Sequence, residues 1–209
     1  RALAKALGID FKTIPISGMF RSVKKGLAPA FRGTKEGLAE ENIQARLRGL
    51  ILMSLSNKFN QLVLSTGNKS ELSVGYCTLY GDMCGGLAVI SDLPKGQVYE
   101  LSRYANRNRR LIPEATFRKP PSAELKSNQT DQDTLPPYDD LDAILKYYVE
   151  DHWEPSRIAK KGFDRKTVDR VVRWVSGNEY KRRQMAPGLK VTAKAFGIGR
   201  RMPIAQKFK

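Results

Sequence analysis

Residues 62–86 read LVLSTGNKSELSVGYCTLYGDMCGG. The apolar run Leu62, Val63 and Leu64 predicts a short strand buried on both faces. Ser65 and Thr66 then lead into Gly67, Asn68, Lys69, Ser70 and Glu71, so a hydroxyl, a turn, a lysine and a carboxylate follow the strand closely. In open α/β sheets ligands bind beyond the carboxyl ends of the strands. Small polar residues there leave room for a nucleotide, and a carboxylate such as Glu71 suits Mg²⁺ beside its phosphates. A second loop carries Gly75, Tyr76, Thr78, Tyr80, Gly81, Asp82, Gly85 and Gly86. Its glycines permit tight turns and close backbone approach, and its aromatics offer faces for a ring. By spacing alone, an ordinary strand-to-helix loop accounts for the pattern equally well.

At 209 residues with 41% hydrophobic content, the chain is long enough for one domain with a real core. There is no run of 18 apolar residues, hence no expected membrane span, and no secretory signal is visible in these residues. The cytoplasm is the expected location. The chain opens in RALAKALGI, which reads as a helix already under way, so residues are expected upstream. Cys77 and Cys84 do not match a common zinc spacing and read as free thiols. The formal charge is +16, and residues 154–209 hold 16 Lys and Arg against 4 Asp and Glu. A basic segment of this kind suits nucleic acid, a polyphosphate or an acidic partner surface, and composition does not choose among them.

Along the chain, residues 1–8 predict a helix end stopped at Gly8. Residues 11–16 predict a weak strand limited by Pro15, and residues 17–37 a loop with short helical pieces. A helix is expected over residues 38–59, with Ile43, Leu47, Leu50, Ile51 and Leu55 on its apolar face. Asn42 and Arg46 lie one turn apart on another face, where a solvated polar surface or a shared ligand both fit. Leu87 to Ile90 is a short apolar piece. A helix is expected from Asp92 or Pro94, with Lys95 in its first turn. A lysine there gains nothing from the helix dipole, whereas a bound phosphate would use both the lysine and the free amides. Residues 112–138 are too long for a routine connection, and Asp131 and Asp133 read as solvated loop charges. Next comes a helix over residues 139–149, capped by Asp139 or Asp140. Two further helices follow, from Pro155 and after Asp164, the second with Val168, Val171, Val172 and Val175 inward. This pair is compatible with a helix-turn-helix. His152, the only histidine, is a weak catalytic candidate. The tail to Lys209 is expected to wrap over the surface.

STGNKSE, GYCTLYGDMCGG, PPSAEL and EYKRRQMAPG together resemble the synthetase domain of glutamine-dependent NAD⁺ synthetases. The resemblance implies an α/β fold: a partial Rossmann-like, adenine nucleotide α-hydrolase type parallel sheet flanked by helices, with a C-terminal helical extension. It divides the chain into a nucleotide-binding core (1–110), a loop covering the active site (111–138) and a basic helical part of the same domain (139–209). It implies an amide ligase that converts nicotinic acid adenine dinucleotide to NAD⁺, using ATP and glutamine-derived ammonia and releasing AMP and pyrophosphate. In that family's pattern Thr66, Lys95 and Ser122 meet ATP. Asn42, Arg46, Glu71, Tyr76, Leu79 and Lys181 meet the dinucleotide. Glu71 holds Mg²⁺, while Lys95 and Asp82 are the catalytic candidates, Asp82 orienting ammonia or taking its proton. Homodimers or larger assemblies are implied, with no membrane partner.

Leu79 and Gly86 stand where the ammonia-only branch carries lysine and aspartate, which favours the glutamine-dependent branch. The family's Ser-Gly-Gly-x-Asp-Ser loop and its glutaminase domain are not in these 209 residues and are expected upstream, so the chain reads as a fragment with little activity alone. Two alternatives stand beside this reading: a basic nucleic-acid-binding module, and another ATP pyrophosphatase-type amidotransferase.

Overall fold

The computed structural model describes residues 1–126, 128–197 and 199–205. Among them the order is α1 (Ala2–Leu7), α2 (Ser17–Leu27), α3 (Leu38–Phe59), β1 (Leu64–Ser65), α4 (Lys69–Val74), β2 (Leu87–Ala88), α5 (Lys95–Ala105) and α6 (Glu114–Arg118). A 3₁₀ turn (Asp131–Asp133), α7 (Tyr138–Leu145), a π-helical turn (Lys146–Glu150), α8 (Pro155–Ala159), α9 (Arg165–Gly177) and α10 (Glu179–Arg182) complete it. β1 and β2 run parallel, Leu64 opposite Leu87 and Ser65 opposite Ala88. No helix among the described residues is long and apolar enough to cross a membrane.

The core is built by the helices around α4. Leu141, Ile144, Ile158, Val168, Val171 and Val175 are completely buried, and Val74 of α4 joins them. The valines of α9 recur at three and four residues, which puts them on one stripe. Asp164 starts that helix by accepting the Thr167 amide at 2.8 Å, a side-chain N-cap. A stacked Tyr147–Trp153 pair, with ring centroids 4.4 Å apart, lies at the rim of this core.

Several sequence expectations are corrected. Leu62 and Leu64 are 66% and 51% exposed, so the strand is not buried on both faces. Only Ser65 turns inward, its hydroxyl donating to the Asp82 carbonyl at 3.1 Å. Residues 11–16 form no strand; Pro15 has no N–H to offer a ladder. Residues 17–27 form one continuous helix rather than loop pieces. Asp131 is not solvated: it is 3% exposed and accepts the Tyr138 hydroxyl at 2.7 Å. The N-cap of α7 is Pro137, and Asp139 and Asp140 occupy the first turn, where the helix dipole favours carboxylates.

The helix over residues 38–59 stands as expected, but its deepest contacts are made by small residues. A Cβ on Gly49 would lie 2.7 Å from the Tyr80 carbonyl oxygen, and one on Gly81 would lie 2.9 Å from the Ala45 Cβ. Leu50, by contrast, is 60% exposed.

The tail is stitched into the fold. Ala88 donates its amide to the Pro187 carbonyl at 2.8 Å, and Gly188 bridges Ala88 in parallel, extending the sheet by one segment. Asp92 accepts the amides of Val191 and Thr192 at 2.8 and 2.7 Å. Residues 206–209, and Ile198 within FGIGRRMPI, lie outside the described residues.

Candidate active site

The turn after β1 delivers Thr66 and then α4. Asn68 accepts the Glu71 amide at 3.0 Å, and the Glu71 carboxylate accepts the Asn68 amide at 3.1 Å. This reciprocal capping box fixes the start of α4. The other carboxylate oxygen of Glu71 stands 3.1 Å from Lys95 Nζ. Gly75 ends α4 at φ 73°, and a Cβ there would clash with the Asn178 side chain. The chain then enters the glycine-rich loop.

That loop is held from two sides. From α3, Asn42 accepts the Thr78 hydroxyl at 2.7 Å, and Arg46 Nε donates to the Leu79 carbonyl at 3.2 Å. From α10, Lys181 donates to the carbonyls of Gly75 and Cys77 at 2.7 and 2.8 Å. Asp82 accepts the Thr78 amide at 2.7 Å across the same turn.

A cavity of about 550 Å³ lies between these segments. Its wall includes Asn42, Thr66, Glu71 and Tyr76, and also Asp82, Lys95, Ser122 and Lys181. Eight of the ten expected site residues therefore meet in one space. Arg46 and Leu79 are not in that wall; they join each other behind the loop. Ser122 arrives on the segment expected to cover the site. The base of that segment is closed by the Asp131 amide on the Pro121 carbonyl at 2.9 Å. Nearer its tip, Gln44 of α3 donates to the Leu125 carbonyl at 2.7 Å.

Burial sets the protonation of the wall. It pushes the Asp82 carboxyl above its ordinary range, against the opposing hydrogen bond from Thr78, because a charge loses hydration there. Burial also pushes the Cys77 thiol up to about 12, which leaves it protonated and unreactive near neutral pH. The Tyr76 phenol is raised by burial and by the nearby Asp131 carboxylate. Cys77 and Cys84 are both free.

Two findings differ from what the sequence implies. Lys69, within the motif, is 2% exposed and faces away from the cavity wall. It pairs with Asp92 at 3.1 Å and Glu150 at 2.7 Å and is a structural cation. The first amides of α5 are not free for a phosphate: Lys95 N donates to Ser70 Oγ at 2.9 Å, and Gly96 N donates to Asp142 at 2.8 Å. Lys95 therefore offers its side chain alone. Sequence reading missed Asp142, which lies 72 residues from Ser70 with no local signal linking them.

No group of three or more His, Cys, Asp or Glu positioned for a metal occurs among the described residues. Glu71 is a carboxylate on the cavity wall beside Lys95, and Mg²⁺ commonly needs only one or two protein carboxylates, taking its other oxygens from phosphates and water.

The family model described as NAD synthase matches residues 1–185. The chain is 57% identical over 207 residues to the glutamine-dependent NAD(+) synthetase of a Synechocystis species, covering 99% of this chain and 37% of that protein. It is 53% identical over 211 residues to the Thermotoga maritima protein of the same name, again covering 37% of it. Among solved structures, a glutamine-dependent NAD⁺ synthetase from Acinetobacter baumannii, in complex with ADP, is 46% identical with a TM-score of 0.54, over 97% of this chain and 36% of that one. One from Cytophaga hutchinsonii, 24% identical, shares the fold at a TM-score of 0.82, over 98% of this chain and 35% of that one. The chain thus spans somewhat over a third of the length of these relatives, and its α/β fold with a small parallel sheet is that of the adenine nucleotide α-hydrolase type. With the matched model, the shared motifs and the cavity they line all in agreement, this chain belongs to the NAD synthase family.

Proposed function

We propose that this chain is the substrate-binding part of a glutamine-dependent NAD⁺ synthetase. In this reading the nicotinate carboxylate of nicotinic acid adenine dinucleotide attacks the α-phosphorus of ATP, and pyrophosphate leaves. Ammonia then attacks the carbonyl carbon of the adenylate, AMP leaves, and one proton is lost as the amide forms. The observation that carries the reading is the single cavity that gathers Thr66, Glu71, Asp82, Lys95, Ser122 and Lys181 from distant parts of the chain.

Each side chain has a task that its geometry allows. Lys95 supports the triphosphate, and Thr66 and Ser122 position ATP by their hydroxyls. Lys181 holds Gly75 and Cys77 by their carbonyls, which shapes the pocket for the nicotinate end, and its charge attracts a carboxylate or pyrophosphate. Asn42 and Arg46 set the same loop from the other side, with Tyr76 and Leu79 on it. Asp82, raised by burial, is a stronger base than a solvated carboxylate and so suited to take the ammonia proton. Mg²⁺, held by Glu71, would neutralise phosphate charge. The partly covered cavity shields the adenylate from water.

The test is an assay of the longer protein that contains this chain, with the dinucleotide, ATP, Mg²⁺ and glutamine. NAD⁺ and AMP formed in equal amounts support the reading. No NAD⁺ from that protein with either glutamine or ammonium would overturn it. Homodimers or larger assemblies, the glutaminase partner and a cytoplasmic location belong to the same proposal.

A further inference from the structure

The Lys95–Glu71 pair faces the cavity, and a second layer of contacts stands directly behind it. Ser70, next to Glu71, donates its hydroxyl to Asp142 Oδ1. The same Ser70 oxygen accepts the Lys95 amide at 2.9 Å. Asp142 Oδ2 accepts the Gly96 amide at 2.8 Å. Two neighbouring residues of α4 therefore meet Lys95, Ser70 at its amide and Glu71 at its ammonium, and one carboxylate from α7 closes the ladder on Gly96. The geometry points to Asp142 as a positioning residue: acting through Ser70 and the α5 amides, it sets where the Lys95 ammonium stands against a bound triphosphate.

Three physical features support this. α5 has no side-chain cap of its own, since Pro94 precedes it, and Asp142 together with Ser70 supplies that cap from other helices. The cap satisfies the half-buried amides of Lys95 and Gly96, donors that are costly to leave unpaired where water is scarce. Gly96 is fitted to it, because a Cβ there would stand 3.3 Å from Asp142 Oδ2. Asp142 itself is not in the wall of the cavity, so any effect it has on substrate passes through the residues it holds. A lysine displaced by an ångström on a phosphate loses much of its value, since small misplacements cost up to about 100-fold in rate.

The inference rests on the reading of Lys95 as a phosphate ligand, and the experiment separates the two. Asp142→Asn, Lys95→Ala and the double variant are made in the full-length enzyme, and kcat and the KM for ATP and for the dinucleotide are measured with ammonium as nitrogen donor. Asp142→Asn is expected to lower kcat/KM for ATP by about 10-fold or more, with the KM for the dinucleotide little changed. In the Lys95→Ala background the same change is expected to have an effect of less than about two-fold, because coupled residues fail to add. Equal effects in both backgrounds would show that Asp142 acts on stability alone and overturn the inference. If Lys95→Ala alone leaves kcat/KM for ATP unchanged, Lys95 is not a phosphate ligand and the inference falls with that reading. Should Asp142→Asn fail to fold, Ser70→Ala, which removes the bridge and leaves the carboxylate on Gly96, decides through the same cycle.

Discussion

The helical part around α7–α9 and the N-terminal part around α1–α3 solve the burial problem in opposite ways. The first is dry: Leu141, Ile144, Ile158, Val168, Val171 and Val175 have no exposed surface. The second leaves Leu7, Ile9, Phe11, Leu38, Leu50 and Phe59 between 48% and 71% exposed. It joins the rest through small residues of α3, Ala45 and Gly49 against the glycine-rich loop, and through a few polar contacts. Apolar burial is worth about 25 cal/mol per Å², so the C-terminal helices are expected to contribute more to stability than α1–α3. The candidate site lies between them: Glu71, Lys95 and Lys181 reach it from α4, α5 and α10, and its loop is held in part by Asn42 and Arg46 of α3.

The largest way to break this contrast is at the charge buried on α4, which packs against the first part. Lys69→Met leaves Asp92 and Glu150 without their cation, and breaking a buried pair from one side costs about 3–5 kcal/mol. Urea denaturation of the purified protein is expected to show that loss; a shift below about 1 kcal/mol would mean that the carboxylates find other partners. Ile158→Ala, at a fully buried position, is expected to cost about 2–5 kcal/mol in the same experiment. Gly49→Ala probes the seam between the parts. Its Cβ would meet backbone oxygen at 2.7 Å, and overpacking of this kind costs about 1–3 kcal/mol. The displaced loop is also expected to weaken binding of the dinucleotide, measured by calorimetry. At the other end, Leu50→Ser on the exposed face is expected to stay within about 0.5 kcal/mol. A larger loss would show that this face is covered in solution.

Acid sharpens the same contrast. Burial alone would raise the Asp92 carboxyl, but the amides of Thr192 and Val191 and the Lys69 ammonium outweigh it and hold it below its ordinary value. A depressed folded pKa contributes stability that is fully present above the unfolded value, about 3.9, and is lost as pH falls through the folded value. Urea midpoints measured from pH 5 down to pH 2.5 are expected to fall more steeply for the unaltered protein than for Asp92→Asn. Parallel curves would remove Asp92 from the acid limb.

Much of this was legible in the chain itself. The α9 stripe, the Asp164 cap, the α3 boundaries and the turn after β1 follow from short-range periodicity and capping, which involve neighbours within four residues. The residues proposed for the site come from motif resemblance, and eight of the ten line one cavity. Asp131 was misread because a carboxylate in a Pro- and Ser-rich loop is normally solvated, and nothing local reveals that Tyr138 will fold onto it. Leu62 and Leu64 were misread because an apolar run states a tendency to be buried without saying what covers it.

The sequence by itself determined the family, the helices with strong periodic faces and the residue types available for phosphate and carboxylate recognition. Only the tertiary structure decided which lysine is structural and which faces the cavity. Lys69 and Lys95 differ little in local context, yet one is enclosed by Asp92, Glu150 and Thr192 while the other reaches the cavity wall. The partners that separate them lie up to 125 residues away, and a charge takes its role from the groups around it in space, not from its neighbours in the chain.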